Sequence, residues 1–398
     1  MMVTVRNWVK EAFNSSVIDK KRHVWVDYLR GIVIILVVYH HAFLGLLKSG
    51  VSVPQSIVDA NMAAYSFRMP LFFIFSGIFT GLALSYKSVN NIIRSKFSLL
   101  LYPYIVWCTI QITLQIIFSD YTNSGGALLK DYLYIFYQPK QLAHFWYLPA
   151  LFNATIAFVF IKTTFKIKAV PHLLLGVTFF LLAPFVNSIS MMSNWMRFYI
   201  FLVIGDSISS YVFRKEVQNR LRRPLYFLLM IPFFIAAQLY YFNVIGAKSL
   251  ENESATLGVN YISFVSKQLS FLSVCLIGCT TFIFLSFLME RWNRLKWLRV
   301  VGYHSLYIYI MHVIVVGFAR AILFKLVGVD NYVVVLFSLI FLGVTVPIVF
   351  YNLLGKKYLW FLFSTKKESS LQPAKRKEPA IRTADLRIPP LHSTVNNI

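Results

Sequence analysis

VDYLRGIVIILVVYHHAFLGLL, residues 26–47, decides what kind of chain this is. The stretch is apolar enough to cross a bilayer, which takes about 20 predominantly apolar residues. It nevertheless carries Asp27, Arg30, His40 and His41. An ionisable group inside a spanning helix is costly unless it faces protein or a cavity, so it is read first as functional. Arg30 and His41 lie eleven positions apart. At about 100° per residue that is three turns plus about 20°, so the two share one face, about 16 Å apart along the axis. His40 falls roughly 80° off that line and is the weaker candidate. Asp27 and, a turn earlier, His23 continue the same stripe.

Composition sets the surroundings of this helix. The chain has 398 residues, 58% of them hydrophobic and 17% aromatic, with a mean hydropathy of +0.64. Several apolar runs of spanning length make it a polytopic, all-α membrane protein. The net charge of +24 does not indicate nucleic acid, because the basic residues sit in short clusters between apolar runs. That pattern carries topology information. Cys108, Cys275 and Cys279 all lie in apolar runs without further ligands at metal spacing, so they read as packing residues and no metal site is expected.

Taken in order, residues 1–23 are polar and mildly amphipathic, lack a signal-peptide core, and are expected to lie on the cytoplasmic surface. Ten spans follow, at about 24–47, 62–85, 97–119, 145–162, 170–188, 196–213, 225–244, 264–289, 303–324 and 331–354. The fifth is bracketed by Pro171 and Pro184. With ten spans and both termini inside, most of the 39 Lys and Arg fall in cytoplasmic segments, as the positive-inside rule requires. The membrane domain is thus expected over 24–362. Residues 363–398 form a basic, Pro-containing tail expected to be disordered, with anionic membrane lipid as a partner. YLYIFY at 132–137 reads as an interfacial aromatic belt. No internal repeat is visible.

The polar residues inside the spans are Arg30, Arg68, Arg197, Arg320, Asp27, Asp206, His41 and His312. Arg197 and Arg320 have two readings, snorkelling to the outer surface or lining an interior. Asp206, near mid-span, needs a partner: pairing with an Arg and a catalytic role stand level. His312 alone reads as a hydrogen-bonded packing histidine.

Five stretches carry a resemblance. DYLRGIVIILVVYHHA resembles the first-helix signature of membrane-bound acyltransferase family 3, an Arg and a His with ten residues between them. That spacing selects Arg30 and His41, the pair that helical phase also selects. FRMPLFFIFSGIF (67–79), LLYPYIVW (100–107), HFWYLPALF (144–152) and VGYHSLYIYIMH (301–312) are similar to the family's later blocks, in the same order. The Met-Pro-Leu-Phe wording leans towards sugar O-acetylases of the fucose-acetylase-like branch. Arg68 departs from the pattern, standing where several sugar-acetylating relatives carry His.

The resemblance implies a bacterial inner-membrane enzyme that moves an acetyl group from cytoplasmic acetyl-CoA to a hydroxyl of a cell-surface sugar, polysaccharide or lipid-linked precursor. His41 would be the general base, suited by an ordinary pKa near working pH. Arg30, close to the cytoplasmic end, would meet CoA phosphates through its guanidinium fork, extended by Arg94, Lys96 and Tyr102. Simple topology accounts for Arg94 and Lys96 equally well. Arg68 would face the developing oxyanion, with Ser76 a second donor unless its SG step is only a tight helix contact. Trp146 and Tyr147 would stack on a sugar ring or anchor the helix at the interface, and His312 and Asp27 complete the acceptor-side candidates. The rival reading is a transporter or flippase for a glycan or lipid-linked intermediate, since intramembrane Arg, Asp and His suit that class too.

Overall fold

The structure, a computed structural model, describes residues 10–14, 16, 23–118, 128–245 and 261–366. Among them are helices and turns and no strand. This is the expected outcome for chain in lipid, where only an intra-segment hydrogen-bond ladder satisfies each backbone group without a closed barrel. Nine helices among the described residues are long and apolar enough to span a membrane. These are α1 (Val24–Lys48), α2 (Gln55–Leu84), α3 (Val89–Ile117), α4 (Pro139–Thr164), α5 (Ala169–Val186), α7 (Pro224–Ile245), α8 (Tyr261–Trp292), α9 (Ser305–Val327) and α10 (Tyr332–Gly355). The tenth, α6 (Ser190–Val212), qualifies together with the short helix Lys215–Leu221, from which it bends by 106°.

The ten expected spans therefore correspond to ten helical segments, with shifted ends. α2 begins at Gln55, not near 62, and α3 at Val89, not near 97. In both cases a polar first stretch is helical before the apolar run starts, which a hydropathy reading cannot see. Most of segment 1–23, and the tail beyond 366, lie outside the described residues.

Helix direction alternates. α1 and α9 run parallel: a Cβ on Gly302, in the short helix Trp297–Tyr303 leading into α9, would overlap the Asp27 carbonyl, while Arg320 meets Gly45. α2 runs antiparallel to α1, with His40 bonded to Asn61 at one level and Arg30 against Phe75 at another. α2 and α6 approach closely through small residues, Gly77 against the Leu202 carbonyl and Gly205 against Ile74. Such contacts replace the hydrophobic driving force that lipid does not supply between helices. α1 packs against α2, α8, α9 and α10 as well as the Trp297–Tyr303 helix, so its polar stripe lies inside the bundle.

Two irregular pieces matter for the site. Pro139–Trp146, at the head of α4, is 3-10 helix broken at Leu142 and Ala143, and Ala143 sits at φ +57°. After α10 the chain turns back across α3. Tyr102 Oη donates to the Phe361 carbonyl at 2.6 Å and Trp107 Nε1 to the Leu362 carbonyl at 2.8 Å.

Candidate active site

The interior of the bundle holds a cluster of imidazoles that only the fold assembles. The His41 ring of α1 lies 5.1 Å from His312 of α9 and 5.7 Å from His144 of α4, and those two rings are 4.7 Å apart, centroid to centroid. His144 and His312 are almost fully buried, at 1% and 0% exposure. His312 Nδ1–H donates to the Ile308 and Tyr309 carbonyls at 3.0 and 2.8 Å. Its Nε2 is left with a lone pair and no hydrogen-bond partner among the described residues. His144 Nε2–H points to the Ile310 carbonyl at 3.4 Å, and its Nδ1 is likewise without a partner. A carbonyl can only accept, so each bond fixes the tautomer and aims a basic nitrogen away from it.

The break at Ala143 is what delivers His144. The positive φ swings the following residue inward, and the His144 carbonyl then accepts the Tyr309 hydroxyl. Tyr309 in turn packs edge-on to Tyr147, 5.1 Å away. Tyr147 lies within electrostatic range of Arg30. A column of two tyrosines thus bridges the 16 Å or so that helix geometry puts between Arg30 and His41.

A cavity of about 740 Å³ opens beside the imidazoles, within the range of about 300–1,000 Å³ typical of ligand sites. His40, His41, Arg68, His144, Trp146 and Tyr309 line it, together with Gln111 and Asn194. Gln111 Oε1 and Asn194 Nδ2 are buried and have no partner among the described residues. Trp146 stacks on Phe198 at 5.4 Å and forms an aromatic wall. Arg68, 4% exposed, reaches the Leu36 carbonyl at 3.4 Å. His40 donates from Nδ1 to Asn61 Oδ1 at 2.9 Å, an ordinary structural bond.

Arg30 and its neighbours form a second polar group, outside that lining. The Arg30 guanidinium stacks over Phe75 at 4.0 Å. Lys96 lies near enough for the two charges to interact, and donates to Ser76 Oγ at 3.0 Å. Two cations held together among helices are a suitable donor set for phosphate oxygens.

The residues singled out from sequence therefore divide. His41, Arg68 and Trp146 line the cavity, and His312 joins through its ring contact with His41. Tyr147 stands in the bridging column, while Arg30, Lys96 and Ser76 form the second group. Arg94 is exposed, Tyr102 is engaged by the Phe361 carbonyl, and Asp27 is buried at the crossing with Gly302. Arg197 and Arg320 both line the cavity. The partner of Asp206 is Lys162, not an Arg, at 2.6 Å to both carboxylate oxygens. The three cysteines are buried and free.

His144, Tyr309, Gln111 and Asn194 were not singled out from the sequence. His144 opens HFWYLPALF, and Tyr309 lies in the block VGYHSLYIYIMH. Helical phase could not select His144, because it follows a break in the helix.

The apolar helices and the histidine cluster at an internal cavity define a multi-pass membrane protein with an intramembrane polar site. A family model described as an acyltransferase domain, acyltransferase 3, matches residues 23–352. The chain belongs to this family of membrane acyltransferases. No curated protein and no solved structure matches it.

Proposed function

We propose that the protein is an O-acyltransferase that moves an acetyl group from acetyl-CoA to a sugar hydroxyl of a bacterial cell-envelope glycan or its lipid-linked precursor, with His41 as general base. The observation that carries this reading is the contact of His41 with both His144 and His312 at the wall of a polar-lined cavity. The positive-inside distribution supports a cytoplasmic Val24 end of α1. Arg30 and Lys96 then sit on the donor side and would hold CoA phosphates, and the cavity takes the acceptor from the other side.

Acetyl-CoA supplies an activated thioester carbonyl. His41 accepts the proton of the attacking hydroxyl, that oxygen forms the new C–O bond as the C–S bond breaks, and the proton leaves with the thiol. The lone pairs fixed on His312 and His144 stand in ring contact with His41. On acceptor binding one of them would take the single N–H of neutral His41 and leave its other nitrogen basic, a base–orienter pairing. Arg68 aims positive charge at the developing oxyanion from a buried position, where such charge is worth most. Trp146 stacks on the sugar ring, and Gln111 and Asn194 receive its other hydroxyls. Removing those buried polar atoms from water without a partner would cost about 1–3 kcal/mol each, so a polar guest is the natural occupant.

The test is transfer of radiolabel from acetyl-CoA to glycan by protein in nanodiscs. His41→Ala should lower the rate by about 10²–10⁴-fold, the usual contribution of a positioned base. His40→Ala should leave it within a few-fold. Full activity in His41→Ala removes the assignment.

A further inference from the structure

Charge along the cavity is one-sided. Lys48, Arg68, Lys140, Arg197 and Arg320 all contribute to its wall, and among the described residues no Asp or Glu does. The five cations come from five different helical segments, α1, α2, α4, α6 and α9, so a single basic surface stretch does not explain them. Nor does charge-directed topology, because the positive-inside bias places its cations at the opposite end of the bundle. Lys48 and Lys140 are exposed near the end of α1 and the start of α4. Arg68 is 4% exposed and lies deepest. Positive charge therefore runs from the rim of the cavity to the neighbourhood of the imidazoles. Arg68, the most buried of them, meets the Leu36 carbonyl at 3.4 Å. Burying cations in a membrane interior is costly unless something of opposite sign completes the site. Low-dielectric walls of one sign also concentrate counter-ions of the other.

We propose that the acceptor is an anionic glycan, its negative charge carried by a sugar carboxylate or by a phosphate next to the acetylated residue, and that Arg197 is a specificity-determining contact for that charge. This rests on the acyl-transfer reading for the chemistry, but not for the binding. Arg197 borders the cavity on α6, one residue from Phe198, which supports the Trp146 ring. A guanidinium there reaches an anion on the same sugar, or on its neighbour, while the hydroxyl faces His41. The fork of an Arg suits both carboxylate and phosphate oxygens.

The experiment uses full-length protein in nanodiscs and three probes: an oligosaccharide containing glucuronic acid, its carboxyl-reduced neutral form, and a polyprenyl-pyrophosphate-linked monosaccharide. Binding is measured without acetyl-CoA, by quenching of tryptophan fluorescence, at low and high salt. At least one anionic probe should bind tenfold or more tighter than the neutral oligosaccharide, with the advantage shrinking as salt rises. Which one does so distinguishes a carboxylate from a pyrophosphate. Arg197→Gln should erase that preference while leaving the neutral probe's affinity within twofold. Equal binding of all three probes, or an Arg197→Gln variant that weakens charged and neutral probes alike, overturns the proposal. Acetyl transfer is then measured with the same probes. A charge preference in binding with no label transferred to any probe counts against the acyl-transfer reading and leaves the anionic site standing.

Discussion

Four imidazoles stand in ring contact, His40 lying 4.9 Å from His41, and they do not have equal jobs. His144 and His312 each give their N–H to a backbone carbonyl and are held in one tautomer. His40 is tied through Nδ1 to Asn61. His41 has no hydrogen bond to a carbonyl among the described residues, touches all three other rings and faces the cavity, which suits it best to exchange a proton with a bound hydroxyl. With His41 as the proposed base, His312→Phe should lower kcat while leaving KM for the acceptor within a few-fold, because the variant misorients His41 without touching the acceptor. In the His41→Ala background the same substitution should add almost nothing, since residues that act as one unit are strongly non-additive. Additive losses in the double variant would assign His312 a separate role. Of this cluster, His41 was legible from helical phase alone. His312 was visible only as a mid-span histidine, and nothing local told it apart from a packing residue. Its meaning comes from the parallel run of α1 and α9, a tertiary fact.

At the scale of the element, the head of α4 carries the unusual geometry. Ala143 at φ +57° occupies a backbone region that costs a residue with a Cβ about 1–3 kcal/mol and persists where the surroundings over-determine it. Glycine relieves that cost and β-branching increases it. Ala143→Gly should keep acyl transfer and raise the melting temperature in detergent by a few degrees. Ala143→Val should lower both, and a variant with full activity would show that His144 does not need this turn. Hydropathy found the helix that follows but placed its start at 145, because a 3-10 stretch with a left-handed residue has no hydrophobic signature. The apolar cores of all ten spans were readable for the opposite reason: lipid imposes length and apolarity on each one separately. Helix ends protruding beyond the apolar run, as in α2 and α3, escape that constraint.

Across the whole molecule the polar residues separate into two groups joined by the Tyr147–Tyr309 column: Arg30, Lys96 and Ser76 towards the Val24 end, and the imidazoles with the cation-lined cavity towards the Lys48 end. The Arg30–His41 stripe anticipated both ends of this arrangement but not the column between them, whose members lie on α4 and α9. Arg197 and Arg320 show the limit of reading spans one at a time. An Arg near a helix end has the same local sequence whether it snorkels to the surface or lines an interior, and only the neighbouring helices decide.

The stretch after α10 restricts how far the chain can be shortened. Phe361 and Leu362 supply the carbonyls for Tyr102 and Trp107, Phe363 is 3% exposed, and Thr365 Oγ1 reaches Ser98 Oγ at 2.7 Å. A stop codon placed after Gly355 would strip the acceptors from two aromatic donors on α3 and uncover an apolar seat. One placed after Lys366 would leave every one of these contacts intact. Fluorescence-detected size exclusion should give a sharp peak for the longer product and an aggregated or absent one for the shorter, so a reporter or purification handle belongs downstream of this clasp.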